Sequence, residues 1–198
     1  MENKKDLSKK FWLTLIIIFL VLIVLVAVGF GIFATREDEV IIQKENGGNI
    51  VLNYSSNVSG LKLTNAIPTT NSVGIKKSED GEYFDFSVDV MLDNAASIDY
   101  ELSLVKDSKN STIPDEDIRI YLEQEKSGTY TSVLEPQKFL PIGKDNEFGT
   151  KAGSMILTHV KKTKTATDHY RLRIWLCDTS IIANGTYSVE VVINGKTL

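Results

Sequence analysis

The densest grouping of chemically capable side chains in this 198-residue sequence is "YRLRIWLC", Tyr170 to Cys177. A period of two sends Tyr170, Leu172, Ile174 and Leu176 to one face of a strand and leaves Arg171, Arg173, Trp175 and Cys177 on the other. Two guanidinium groups beside an indole can stack on rings and grip carboxylates in a planar, two-pronged way, so Arg171, Arg173 and Trp175 are the candidate binding residues. The structural alternative is a neighbouring loop lying over Trp175, with the arginine stems spread around it.

Other constellations are weaker. His159 and His169 flank "KKTKTATD" and could meet across a hairpin, but no Cys-x-x-Cys or His-x-x-x-His spacing supplies the further ligands zinc needs. In "KDSKNSTIPDEDIR", Asp107, Asp115, Glu116 and Asp117 offer the hard oxygens calcium takes, at a spacing that fits no known calcium loop. Asp85/Asp89 and Asp99/Glu101 fall on what read as adjacent strands, as an acid and base would, or as the solvated face of a hairpin that resists edge pairing. There is no Gly-x-Ser-x-Gly elbow and no phosphate-cradling glycine loop. "LPIGK" at Leu140 lacks the threonine and the hydrophobic tail of a wall-sorting signal, and the Asn-x-Ser/Thr tripeptides at Asn53, Asn57, Asn110 and Asn184 matter only in a glycosylating host. The expectation is therefore no enzyme, no cofactor and no metal.

What must position any such site begins with "FWLTLIIIFLVLIVLVAVGFGIF", Phe11 to Phe33, 23 residues without a charge. A helix of that length is about 35 Å long and can span a hydrocarbon core of about 30 Å. A cleaved signal has a shorter apolar run and small residues before the cut; here Ala27-Val28-Gly29 lies inside the run and Ala34 has Ile32 two positions before it. The segment reads as a retained signal anchor, with cleavage as the alternative. Lys4, Lys5, Lys9 and Lys10 precede it, whereas Arg36 is followed by Glu37, Asp38 and Glu39, which predicts a cytoplasmic amino terminus and an exported remainder. Trp12 suits the headgroup region. The expected organisation is a basic tail over 1–10, a transmembrane anchor over 11–33, a membrane-proximal stalk over 34–48 and an extracellular domain over 49–198.

Beyond the first ten residues the chain holds 18 basic against 24 acidic residues, which argues against a nucleic-acid partner because phosphate binding needs clustered positive charge. Cys177 is the only cysteine, so no internal disulfide can form and packing must supply the stability.

From Asn49 onward the hydrophobic period is two. "YFDFSVDVML" places Phe84, Phe86, Val88, Val90 and Leu92 on one face, and "SIDYELSLV" does the same with Ile98, Tyr100, Leu102 and Leu104, leaving Asp99, Glu101 and Ser103 outward. With "DNAA" between them, the pair reads as a hairpin with one wet face. Further strands are expected at 49–54, 61–63, 117–124, 154–160, 170–177 and 186–194, separated by turn-forming residues. The fold class expected is all-β: an antiparallel β-sandwich, Ig-like or jelly-roll, preceded by one transmembrane helix, with a closed barrel left open as the alternative.

A basic amino terminus, an apolar segment, then "LKLTNAIPTT" and "YFDFSVDVMLDNAASIDYELSL" resemble the exported β-sandwich proteins of low-GC Gram-positive bacteria, the camelysin and biofilm-matrix fibre subunit group. That resemblance implies secretion after signal cleavage and assembly into extracellular fibres by strand exchange, and it implies no catalytic residues. The residues themselves point first to a non-enzymatic, single-pass cell-surface protein whose sandwich binds a protein, glycan or wall component, second to a matrix or pilus-like subunit, and third to an anchored enzyme.

Overall fold

The computed structural model describes residues 40–45, 48–54, 59–77, 83–93, 97–182 and 184–197, with backbone alone for 40–45. The anchor expected over 11–33 lies outside these residues, and no helix among the described ones is long and apolar enough to cross a membrane.

Among the described residues ten strands run as β1 (Val40–Glu45), β2 (Gly48–Tyr54), β3 (Gly60–Thr64), β4 (Tyr83–Leu92), β5 (Ile98–Lys106), β6 (Ile118–Lys126), β7 (Thr129–Gln137), β8 (Met155–Lys162), β9 (Ala166–Leu176) and β10 (Thr186–Thr197). The only α-helix among the described residues is the single turn α1 (Asn71–Gly74). The strands form two antiparallel sheets, ordered β1-β2-β4-β9-β6-β7 and β3-β10-β5-β8. The expected all-β architecture is present, and no ladder among the described residues joins the two sheets, so they do not close into a barrel.

Alternation builds the core. Ile50, Leu52, Phe84, Phe86, Val88 and Val90 of the larger sheet, with Tyr170, Leu172, Ile174 and Leu176 of β9, meet Tyr100, Leu102, Leu104, Val191 and Ile193 of the smaller one. Burying one such side chain is worth about 1.5–3 kcal/mol, so these facing rows hold the sheets together.

Three expectations are corrected. β4 and β5 do not pair as a hairpin; β4 lies between β2 and β9, and β5 lies between β10 and β8 in the opposite sheet. Their apolar faces meet across the core, and alternation alone does not distinguish that from pairing edge to edge. The face of β5 expected to be wet is buried, Asp99, Glu101 and Ser103 included, because the segment joining β7 to β8 covers it. The sheet also begins before residue 49, since Val40–Glu45, placed in the stalk on sequence grounds, pair in register with β2.

Candidate functional site on the outer face of the larger sheet

The outward residues of β4, β9, β6 and β7 form rungs across the larger sheet. Ser87 is level with His169, Asp85 with Arg171 and Arg171 with Glu123, while Tyr83 is level with Arg173 and Arg173 with Tyr121. The Arg171 and Arg173 rungs each set acids or rings beside a base, which is the cross-strand arrangement that stabilises a sheet face.

Arg171 is the centre. Its Nε and Nη2 each donate to Asp85 at 2.7 Å, and its guanidinium lies 4.2 Å from the ring centre of Tyr83 and 4.4 Å from that of Tyr130. The bonds it donates to Asp85 hold the guanidinium charged well beyond its ordinary range. Partial burial, and then the nearby Asp85 carboxylate, push the Tyr130 hydroxyl up. Arg173 bonds to Glu123 through Nη1 and to the carbonyl of Lys77 through Nε at 2.7 Å.

Trp175 is not an exposed member of this face. It is 1% exposed, with Tyr121 meeting it edge-on at 6.5 Å between ring centres. The turn α1 lies over the indole: a Cβ built on Gly74 would fall 2.3 Å from Trp175 Cε2. Of the three residues grouped on sequence grounds, the structure puts all on one face but buries Trp175 beneath a neighbouring segment and engages both arginines in ion pairs.

Beside the Arg171 stack an open groove of about 320 Å³ runs among Asn53, Asp85, Ser87, Tyr130 and His169. Its lining mixes hydrogen-bond donors and acceptors with half-buried Tyr130, and Tyr54, Phe86 and Tyr170 also line it. Sequence reasoning did not group these residues because they come from four strands, and the only signal available was that each is the outward, polar member of its strand.

The other candidates separate. His159 and His169 sit in different sheets; His159 Nε2 is 3.7 Å from Asp99 Oδ2 and meets Phe148 edge-on. Asp107 caps its own turn through Asn110, Asp115 takes Lys106 and Tyr187, and Asp117 accepts from Ser180. Among the described residues no three His, Cys, Asp or Glu are arranged to hold a metal ion. Asp85 and Asp89 lie on the larger sheet and Asp99 and Glu101 on the smaller, so they do not face one another as a pair.

A buried polar cluster was not anticipated. Asp168 accepts from Tyr100 at 2.5 Å, Lys162 at 2.7 Å and Gln124 at 3.0 Å, while the hydroxyls of Tyr100 and Tyr170 are 2.6 Å apart. Both carboxylate oxygens are occupied, and the cluster ties β5 and β8 of one sheet to β6 and β9 of the other. Burial first, and then Tyr170 and Asp168, drive the Tyr100 hydroxyl far above its ordinary range.

Comparison with protein-family models and with curated proteins finds no match to this chain.

Proposed function

We propose that this is a non-enzymatic, single-pass surface protein, anchored through residues 11–33 with its amino terminus cytoplasmic, whose exported sandwich binds a glycan on the outer face of its larger sheet. The observation that carries the reading is the groove among Asn53, Ser87, Tyr130 and His169, bordered by the Arg171–Asp85 pair. Polar ligands are recognised by a few fixed donors and acceptors, and the stack of Tyr83, Arg171 and Tyr130 supplies a stiff wall for them. The uncharged, 23-residue apolar run and its lysine flank support the anchor.

The test is retention of the full chain, in detergent micelles, on insoluble cell-wall polysaccharide. Filling the groove with Ser87→Trp should abolish retention while the sheet spectrum stays unchanged. Equal retention of both proteins would overturn the site, and capture of a protein in place of polysaccharide would overturn the ligand class.

A second reading rests on β1. Among the described residues it is an amino-terminal edge strand paired only with β2, which is the element a strand-exchanging fibre subunit would donate. Intact mass separates the two: an anchored protein keeps residues 1–34, and a fibre subunit loses them.

A further inference from the structure

The groove follows one level of the larger sheet. Asn53, Ser87 and His169 are level on β2, β4 and β9, and Glu125, next after the Gln124–Tyr170 pair, carries that level on to Tyr130 of β7. Carboxylates flank it. Asp85 and Asp89 each stand two residues from Ser87 along β4, about 7 Å to either side, and Glu125 faces Tyr130 across the β6–β7 ladder.

The nearby guanidinium groups are already engaged, Arg171 with Asp85 and Arg173 with Glu123. Among the described residues no cation pairs with Asp89 or Glu125. Asp89 accepts from two neutral donors, Asn53 Nδ2 at 2.7 Å and Thr167 Oγ1 at 2.6 Å, and a carboxylate has about four acceptor sites, so it can take more. The Tyr130 hydroxyl registers the same charge. Partial burial and then Asp85 push it up, Arg171 opposes them, and Glu125 and Glu123 add to the rise. Of the residues lining the groove, His169 alone is basic.

This balance decides which glycans fit. A uronate or a phosphate would meet Asp89 and Glu125 with no uncommitted guanidinium to answer it. A protonated amine meets the opposite situation, because an ammonium donates up to three hydrogen bonds and those to a carboxylate are charge-assisted. Asp89 and Glu125 lie two strands apart, about 10 Å across the sheet, so different units of one polymer would reach them.

We propose that the groove selects glycans carrying free primary amines, polymers of hexosamine units left unacetylated, with Asp89 and Glu125 receiving the ammonium groups. The inference rests on the glycan reading above. Acetylation removes the charge and leaves both carboxylates facing a neutral amide.

The experiment is calorimetric titration of the full chain, in uncharged detergent micelles, with the soluble β-1,4-linked hexamer of glucosamine and with its fully N-acetylated counterpart. The expected result is affinity at least tenfold tighter for the free-amine hexamer, an advantage that shrinks as salt is raised because the groove is open to solvent. Ser87→Trp should abolish binding of both, and Asp89→Asn and Glu125→Gln should each cut the ratio between them several-fold. Equal affinities that Ser87→Trp abolishes, or a ratio that survives both carboxylate variants, would overturn the amine preference and leave the glycan groove standing. Free-amine binding that persists in Ser87→Trp would overturn it too, as general attraction of a polycation to an acidic surface. If neither hexamer binds, the amine preference falls, and retention on insoluble wall polysaccharide then decides the glycan reading separately.

Discussion

Arg171 holds Asp85 with two bonds of 2.7 Å from the neighbouring strand, and both ends of that pair are committed before any ligand arrives. An arginine so held does not recognise acids by swinging out to meet them. It holds Tyr83 and Tyr130 against its guanidinium, 4.2 and 4.4 Å from their ring centres, and thereby the wall of the groove beside it.

Arg171→Lys should therefore cost about 1–2 kcal/mol of stability, because an ammonium keeps the charge but gives up the second bond and the flat stacking surface. Thermal unfolding of Arg171→Lys, Asp85→Asn and the double variant checks this through their coupling. Additive losses would mean that the two side chains act independently.

Trp175→Ala should lower stability by roughly 3–5 kcal/mol, as truncating a covered aromatic leaves a cavity under α1. Gly74→Ala tests the same contact from the other side. Its Cβ would fall within 2.4 Å of two indole ring atoms, so the turn must lift, at about 1–3 kcal/mol. A melting temperature unchanged by both would contradict the packing of α1 on this strand.

Strand faces were legible where one side of a strand is core and the other is water. Tyr170, Leu172, Ile174 and Leu176 point inward as the period of two requires. β5 misled because its second face is covered from a distance: Glu101 is buried under residues about 45–49 positions later, and no local pattern records that. β7 was missed because "TYTSVLEPQ" lies at an edge, half-exposed on both faces, with little apolar alternation to read. The groove was invisible for a related reason. Asn53, Ser87, His169 and Tyr130 become neighbours only through strand order, and strand order depends on which apolar faces meet.

The cover over β5 makes its own prediction. Glu101 Oε1 accepts from Thr150 at 2.5 Å and from Asn146 at 2.8 Å, and Asn194 donates to Thr150 at 3.0 Å. Thr150→Val keeps the shape and removes the hydroxyl, leaving a buried carboxylate with one fewer partner, and should cost about 1–3 kcal/mol. Amide exchange at Asn146–Thr150 should quicken while exchange at Tyr170–Leu176 stays slow. Uniform protection in both proteins would show that the hydroxyl is not what holds this segment down.

Alkaline pH should unfold the sandwich in one step. Burial raises the hydroxyls of Tyr100, Tyr170 and Tyr187 above the ordinary value of 10.0; Asp168 adds to the first two, and the bond from Tyr187 to Asp115 to the third. A group whose proton is held more tightly in the folded state contributes its full stability below its unfolded value and loses it as pH rises toward the folded one. Below pH 10 all three are neutral in both states, so they give stability no slope. Above it the unfolded chain sheds three protons that the folded chain keeps, and stability falls by about 1.4 kcal/mol per pH unit for each tyrosine. Tyrosinate absorbance from these residues should thus appear together with loss of the sheet signal in circular dichroism. Tyr100→Phe should make the decline shallower while lowering stability at neutral pH, since Asp168 loses its shortest bond. Gradual titration of every tyrosine near pH 10, with the sheet signal intact, would show that water reaches the cluster between the sheets.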